Sequence, residues 1–251
     1  VLSGAVSYSR AVKEAVDNVV SGGVIVQYPS GHKDTIETAT ARAVRTGVAQ
    51  ATGDISIKRM EEMNWDIILV SAHIGARTGD GGQNPGNHLW WQGQFYSRTG
   101  SDRRFPPFSQ TGYGTGEGLC GWNCRHSFGS GDGVNNPYKD IQTADNYNVE
   151  QLAKRQRTLE RRIRKTKPEL MGMQEAVDKC KDESVKFEMQ LDLDRKSYLL
   201  QRQNKAYNEF CKTNDLRTQQ ERLQIARWNR EQAAKARGAA RRYQNAKGKK
   251  E

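Results

Sequence analysis

The sequence is poor in several things that would narrow its class. Four cysteines in 251 residues are too few for a secreted disulfide scaffold, so a reducing compartment is expected. No run of about 18 apolar residues occurs, which excludes a membrane-crossing helix. The first residues carry no basic-then-apolar signal pattern. They carry no initiator methionine either, and the chain is expected to be part of a longer protein. Two glycine-rich tracts, GARTGDGGQNPG and GYGTGEG, lack the Gly-Lys-Ser/Thr ending of a nucleotide loop. Hydrophobic residues make up only 35%, which is lean for a compact globule and favours long exposed helices.

What is abundant is positive charge, and it is uneven. The net charge is +11. Residues 151–251 hold 27 Lys/Arg against 14 Asp/Glu, whereas the first 150 hold 13 against 15. The C-terminal part therefore reads either as a partner for nucleic acid or another acidic surface, or as a solvated basic helix.

Glycine is the second abundance. Fifteen of the 24 glycines fall between Gly75 and Gly133, with three of the five tryptophans. Disordered linkers rarely hold so many aromatics, so this stretch is expected to be ordered but irregular. Before it, YSRAVKEAVDNVVSGG has helical spacing up to Gly22, and Val24 to Tyr28 is extended. Asp34 or Thr35 caps a helix that reaches about Met63, with Ile36, Ala39, Ala43 and Val44 on one face and a break near Gly53. WDIILVSAH, Trp65 to His73, reads as a buried strand.

Beyond about Val149 the pattern is helical again. Val149, Leu152, Gln156, Leu159 and Ile163 form a heptad seam. Pro168 is expected to interrupt it and open a new helix. Phe187, Leu191, Tyr198, Leu200, Tyr207 and Phe210 continue a partly apolar stripe. CKTNDL breaks it, and Leu216, Leu223 and Ala226 are expected to begin a last helix whose basic tail, from Arg237, frays. An antiparallel hairpin is the natural packing for these pieces.

Chemistry centres on GLCGWNCRHSFGSG, Gly118 to Gly131. Cys120, Cys124, His126 and His88 are a possible tetrahedral zinc set, although a lone C-x3-C pair is a weak signal. Cys124 with His88 or His126 is a possible thiol–imidazole pair. His73, His88 and His126 are possible acid and base groups of a nuclease. Small thiols packed beside Trp122 are the structural alternative. In RQRTLERRIRKTK, Arg155, Arg162 and Lys165 fall on neighbouring turns and suit phosphate contacts, as do Arg241 and Arg242 in the tail.

In order along the chain stand WDIILVSAH, GARTGD, NHLWWQGQFYS, TGYGTGEGLCGWNCRHSF, QLAKRQRTLERRIRKTKPEL and YNEFCKTNDLRTQQERLQIA. This series resembles the phage minor capsid proteins, close to the Mu F-like head morphogenesis class. The resemblance implies a structural virion protein of a tailed-phage head, acting in head assembly and DNA packaging or delivery. It implies a place inside the capsid near the portal, host cytoplasm during assembly, and portal or other capsid proteins and double-stranded DNA as partners. It implies no enzyme, no cofactor and an oligomeric setting. The competing readings are a virion-borne nuclease or transferase using histidine and cysteine, and a sequence-independent DNA-binding module.

The expected fold is α+β. Residues 1–146 form a helix-rich core with a small sheet and long glycine-rich loops, and 147–251 form a basic helical arm or hairpin. His88, Trp91, Gly93, Trp122, Cys124 and Arg125 are expected to form a structural motif. Trp122 and Cys124 would lie buried beside His88 and Trp91, and Arg125 or His126 would tie loops by hydrogen bonds.

Overall fold

The computed structural model describes residues 25–248, so the helix expected before Gly22 lies outside the described residues. The fold is α+β, with two small antiparallel sheets. By their contacts the described residues fall into two units that divide at Lys154.

The first unit opens with a hairpin, β1 (Ile25–Gln27) against β2 (Lys33–Thr35). Helix α1 (Ile36–Glu62) follows, and the Thr35 hydroxyl accepts the Thr38 N–H as its N-cap. The helix passes Gly53 without the expected break. That glycine is instead a point of close approach: a Cβ there would lie 2.5 Å from the Tyr113 hydroxyl oxygen. The hydroxyl donates to Asp54 Oδ1 at 2.6 Å. The buried side of α1 is its second half, through Ile57 and Met60. Ile36 and Val44, expected on an inward face, are exposed.

Strand β3 (Ile67–Val70) is the centre of a three-stranded sheet, as its β-branched run demands. Ile68 and Val70 are fully buried. A loop leads to the single-turn helix α2 (His88–Trp91), then to β4 (Phe95–Ser97), which pairs Ile68 with Tyr96. A 3-10 turn (Phe108–Thr111) and a glycine-rich loop precede β5 (Phe128–Ser130), which pairs Val70 with Phe128. Trp91, Tyr96, Phe108 and Leu119 fill the core. The loop around Gly118 is tightly wound, since a Cβ there would lie 2.2 Å from the Gly112 carbonyl oxygen. Helix α3 (Asn146–Lys179) begins in this unit. The Asn146 side chain accepts the N–H groups of Gly75 and Ala76 and donates to the Ala76 carbonyl.

The second unit is helical. Helix α3 runs through Pro168 unbroken, against the expectation of a new helix there. Ile163, Leu170, Met173 and Val177 stay buried on both sides of the proline, and that burial outweighs one lost backbone hydrogen bond. Helix α4 (Glu183–Thr213) runs antiparallel to α3, with Glu169 paired to Lys196 and Glu160 facing Tyr207. Asp182 caps α4 by accepting the Ser184 and Val185 N–H groups.

The segment after α4 corrects the expectation of a helix from Leu216. It is a tied loop with a 3-10 turn (Gln220–Leu223), held from the hairpin. The Tyr207 hydroxyl accepts the Gln219 N–H at 2.7 Å. Lys167 Nζ donates to the Leu223 carbonyl, and Gln156 Nε2 to the Arg217 carbonyl. The last helix, α5 (Arg230–Gly248), starts later and stays helical over most of the tail expected to fray. Arg242 forks onto Asp194, Tyr243 stacks on Tyr198, and Ala239 and Ala240 are buried.

Candidate functional site

Three ends of regular structure meet in the first unit. His73 follows β3, His88 is the first residue of α2, and His126 leads into β5. The antiparallel β3–β5 register explains the first meeting. Val70 pairs with Phe128, and Ser71 N donates to the Ser127 carbonyl, which carries residue 73 alongside residue 126. The rings of His73 and His126 stack with centroids 4.4 Å apart. Asn87 brings in the third: its side chain caps α2 by accepting the Trp90 N–H and holds the preceding loop through the Gly82 carbonyl. The Trp91 ring then lies 4.5 Å from His88 and 4.8 Å from His126.

His88, Cys124 and His126 each present a donor atom, and all three lie within 4.8 Å of one another. His88 and His126 are 2% and 5% exposed, so the cluster sits inside the protein. Cys120, counted with them on sequence grounds, is buried but is not among the three. Cys124 Sγ lies 3.6 Å from His126 Nδ1 and accepts the His126 N–H at 3.4 Å.

The hydrogen bonds fix the histidine tautomers. His126 Nε2 is 2.9 Å from Gln92 Oε1, and His88 Nε2 is 2.8 Å from the Glu117 carbonyl. A carbonyl oxygen only accepts, so both rings carry hydrogen on Nε2 and a lone pair on Nδ1. His73 is the reverse: Nδ1 meets the Ile74 carbonyl at 2.9 Å, and the lone pair is on Nε2. That nitrogen is buried and unpaired, as is Gln92 Nε2. Gln92 Oε1 also accepts the His73 backbone N–H, so one amide organises both stacked histidines.

Burial decides the ionisation. It lowers His88 to about 4, against the favourable Glu117 carbonyl, with Arg77 and His73 adding repulsion. It lowers His126 to about 2, helped by the charges of His73, His88, Arg77 and Arg125. Burial raises the Cys120 thiol to about 12. It also raises Cys124, partly offset by backbone N–H groups of His126, Cys120 and Arg125 and by Arg77. Both ring-bearing partners are therefore neutral at pH 7, and so is the thiol. This is the opposite of the thiolate–imidazolium pair that makes a cysteine nucleophilic.

The other residues of the expected motif fall out as follows. Trp91 is fully buried, and its Nε1–H donates to the Pro85 carbonyl at 3.0 Å. Gly93 has φ +68° and sits against Ala72, where a Cβ would come within 3.1 Å. Trp122 corrects the expectation of burial: it is 56% exposed. Its ring lies over Gly116 and its carbonyl accepts from Arg77 at 2.8 Å, so it closes the outside of the loop. Arg125 is exposed, and His126 ties its loop to Gln92 by a hydrogen bond.

Among the basic residues, Arg155, Arg162 and Lys165 are exposed on α3. Arg241 is exposed on α5, while Arg242 is bound to Asp194, with bonds of 2.7 and 3.0 Å. Sequence reasoning missed Gln92 and Asn146. The four-residue spacing of Gln92 from His88 was the available signal for the first; an asparagine at a helix start was the signal for the second.

No curated protein and no solved structure matches the chain. The model of phage minor capsid protein 2, by contrast, matches residues 1–241, nearly the whole sequence with both cysteine–histidine and basic helical blocks, and the chain belongs to that family.

Proposed function

We propose that this minor capsid protein acts in head assembly and DNA packaging or delivery, inside the capsid near the portal. The loop-rich unit serves as its fixed body, and the basic arm faces the packaged DNA. The observation that carries the reading is the exposed row Arg155, Arg162 and Lys165 on one helix, in the part of the chain that holds the excess positive charge. Aromatic residues are sparse along α3, so the contact is to phosphates and not to bases. It is insensitive to sequence and sensitive to salt.

The test is affinity for duplex DNA as a function of salt. Replacing Arg155, Arg162 and Lys165 together by glutamine reduces the steepness of the log–log salt dependence by about 3, at roughly 0.9 per phosphate contact. An unchanged slope removes the DNA-facing role from α3.

A further inference from the structure

We propose that His88, Cys124 and His126 form a zinc-class metal site, with two imidazole Nδ1 atoms and one thiolate as protein ligands and water in the fourth position. The donors are of the borderline-soft kind that such ions take, and they come from separated parts of the chain.

Tetrahedral zinc, with Zn–S of about 2.3 Å and Zn–N of about 2.0–2.1 Å, holds sulfur and nitrogen ligands roughly 3.6 Å apart. The Cys124 Sγ to His126 Nδ1 distance is 3.6 Å. Both ligand histidines are already in the tautomer required, because a carbonyl holds each Nε2–H. Such an outer partner is the usual orienting device of a metal-bound histidine. The sulfur already accepts the His126 backbone N–H at 3.4 Å, a contact that steadies a bound thiolate. One orphaned polar atom beside His126 supplies the remaining argument. The His73 Nε2 lone pair is a buried acceptor with no partner, on the ring stacked against His126, and a metal-bound water has use for it.

Binding breaks the Cys124 S–H bond, forms a metal–sulfur bond and releases one proton to solvent. The histidines give lone pairs and lose no proton. The site joins the first turn of α2 to the loop before β5, so the metal acts as a staple across the glycine-rich region. Cys120 is left out of it.

The experiment uses the full purified chain, stripped with chelator and titrated with Co(II), then with Zn(II). One ion per chain is expected, with a thiolate-to-cobalt charge-transfer band that zinc abolishes. Cys124→Ser removes the band while far-ultraviolet dichroism keeps its helical signal, and Cys120→Ser retains the band. Gln92→Ala, which removes the acceptor of the His126 Nε2–H, weakens binding about 10–100-fold. Should Cys124→Ser not fold, alkylation of the wild-type chain decides: zinc protects Cys124 selectively. Substoichiometric binding, a band that survives Cys124→Ser, loss of the band in Cys120→Ser, or equal Cys124 labelling with and without zinc would each overturn the site.

Discussion

The loop-rich unit and the helical arm solve the same problem of burying surface in different ways. The arm repeats one local rule. Buried apolar residues recur at Ile163, Leu170, Met173 and Val177, at steps of seven, three and four that keep one helix face, and each helix satisfies most of its own backbone. The loop-rich unit has little regular structure to do that. Its backbone groups are met one at a time, by Asn146, Gln92 and the rings of Trp91 and Tyr96. Its close approaches depend on particular glycines. In the arm, stability is spread along a seam. In the loops it rests on single residues with many partners, which suits a region that must hold a fixed shape without long elements.

The sharpest way to break this contrast is Trp91→Ala. It removes a fully buried indole touching two histidines and should cost about 3–5 kcal/mol. The cluster should loosen with it, read as a loss of histidine ring-stacking shifts by NMR. Ile163→Ala in the arm should cost less than Trp91→Ala, within about 2–5 kcal/mol, and leave the loop signals in place. Both costs come from denaturant unfolding.

Glycine substitutions sharpen the same point. Gly118→Ala must push the chain off the Gly112 carbonyl and should destabilise clearly, whereas Gly129→Ala, with nothing within 4 Å, should be near neutral. Asn146→Ala leaves two N–H groups and a carbonyl unpaired in a buried site, at about 1–3 kcal/mol. Amide exchange should then quicken at Gly75 and Ala76.

The smallest effect concerns pH. Burial tends to raise Asp66, but hydrogen bonds from the Ser97 hydroxyl and from the Thr99 N–H and hydroxyl, with the Arg98 charge, hold it below 3.8. A carboxylate depressed on folding adds stability above its unfolded value, lost as pH falls through the lowered folded value. Asp66→Asn should therefore lower stability at pH 7, where the contribution is fully present, and the difference from the parent chain should shrink as pH falls below about 4, which flattens the acid limb.

Legibility followed the same division. The central strand could be read within Trp65 to His73, where it covers Ile67–Val70, and the α1 cap as Asp34 or Thr35, of which Thr35 is the one, because both depend on neighbours in sequence. The seam through Ile163 was equally plain. Pro168 misled because tertiary burial outweighs a local rule. Leu216 and Leu223 misled because their seven-residue spacing imitates a heptad, while long-range bonds from Tyr207, Lys167 and Gln156 hold that segment as a loop. In the cluster, His88, Cys124 and His126 stood out by residue type. Which cysteine joins them did not, since that depends on how the loop turns at Cys120 and Asn123, both at positive φ. Trp122 was misplaced for a similar reason: Gly116 offers it an outer surface to lie on.

A map of the intact phage head around its portal tests the central claim most directly. The account predicts this chain inside the head at the portal vertex, with Arg155, Arg162 and Lys165 turned toward packaged DNA. Density on the outer surface, or that row of residues buried against another protein, would contradict it.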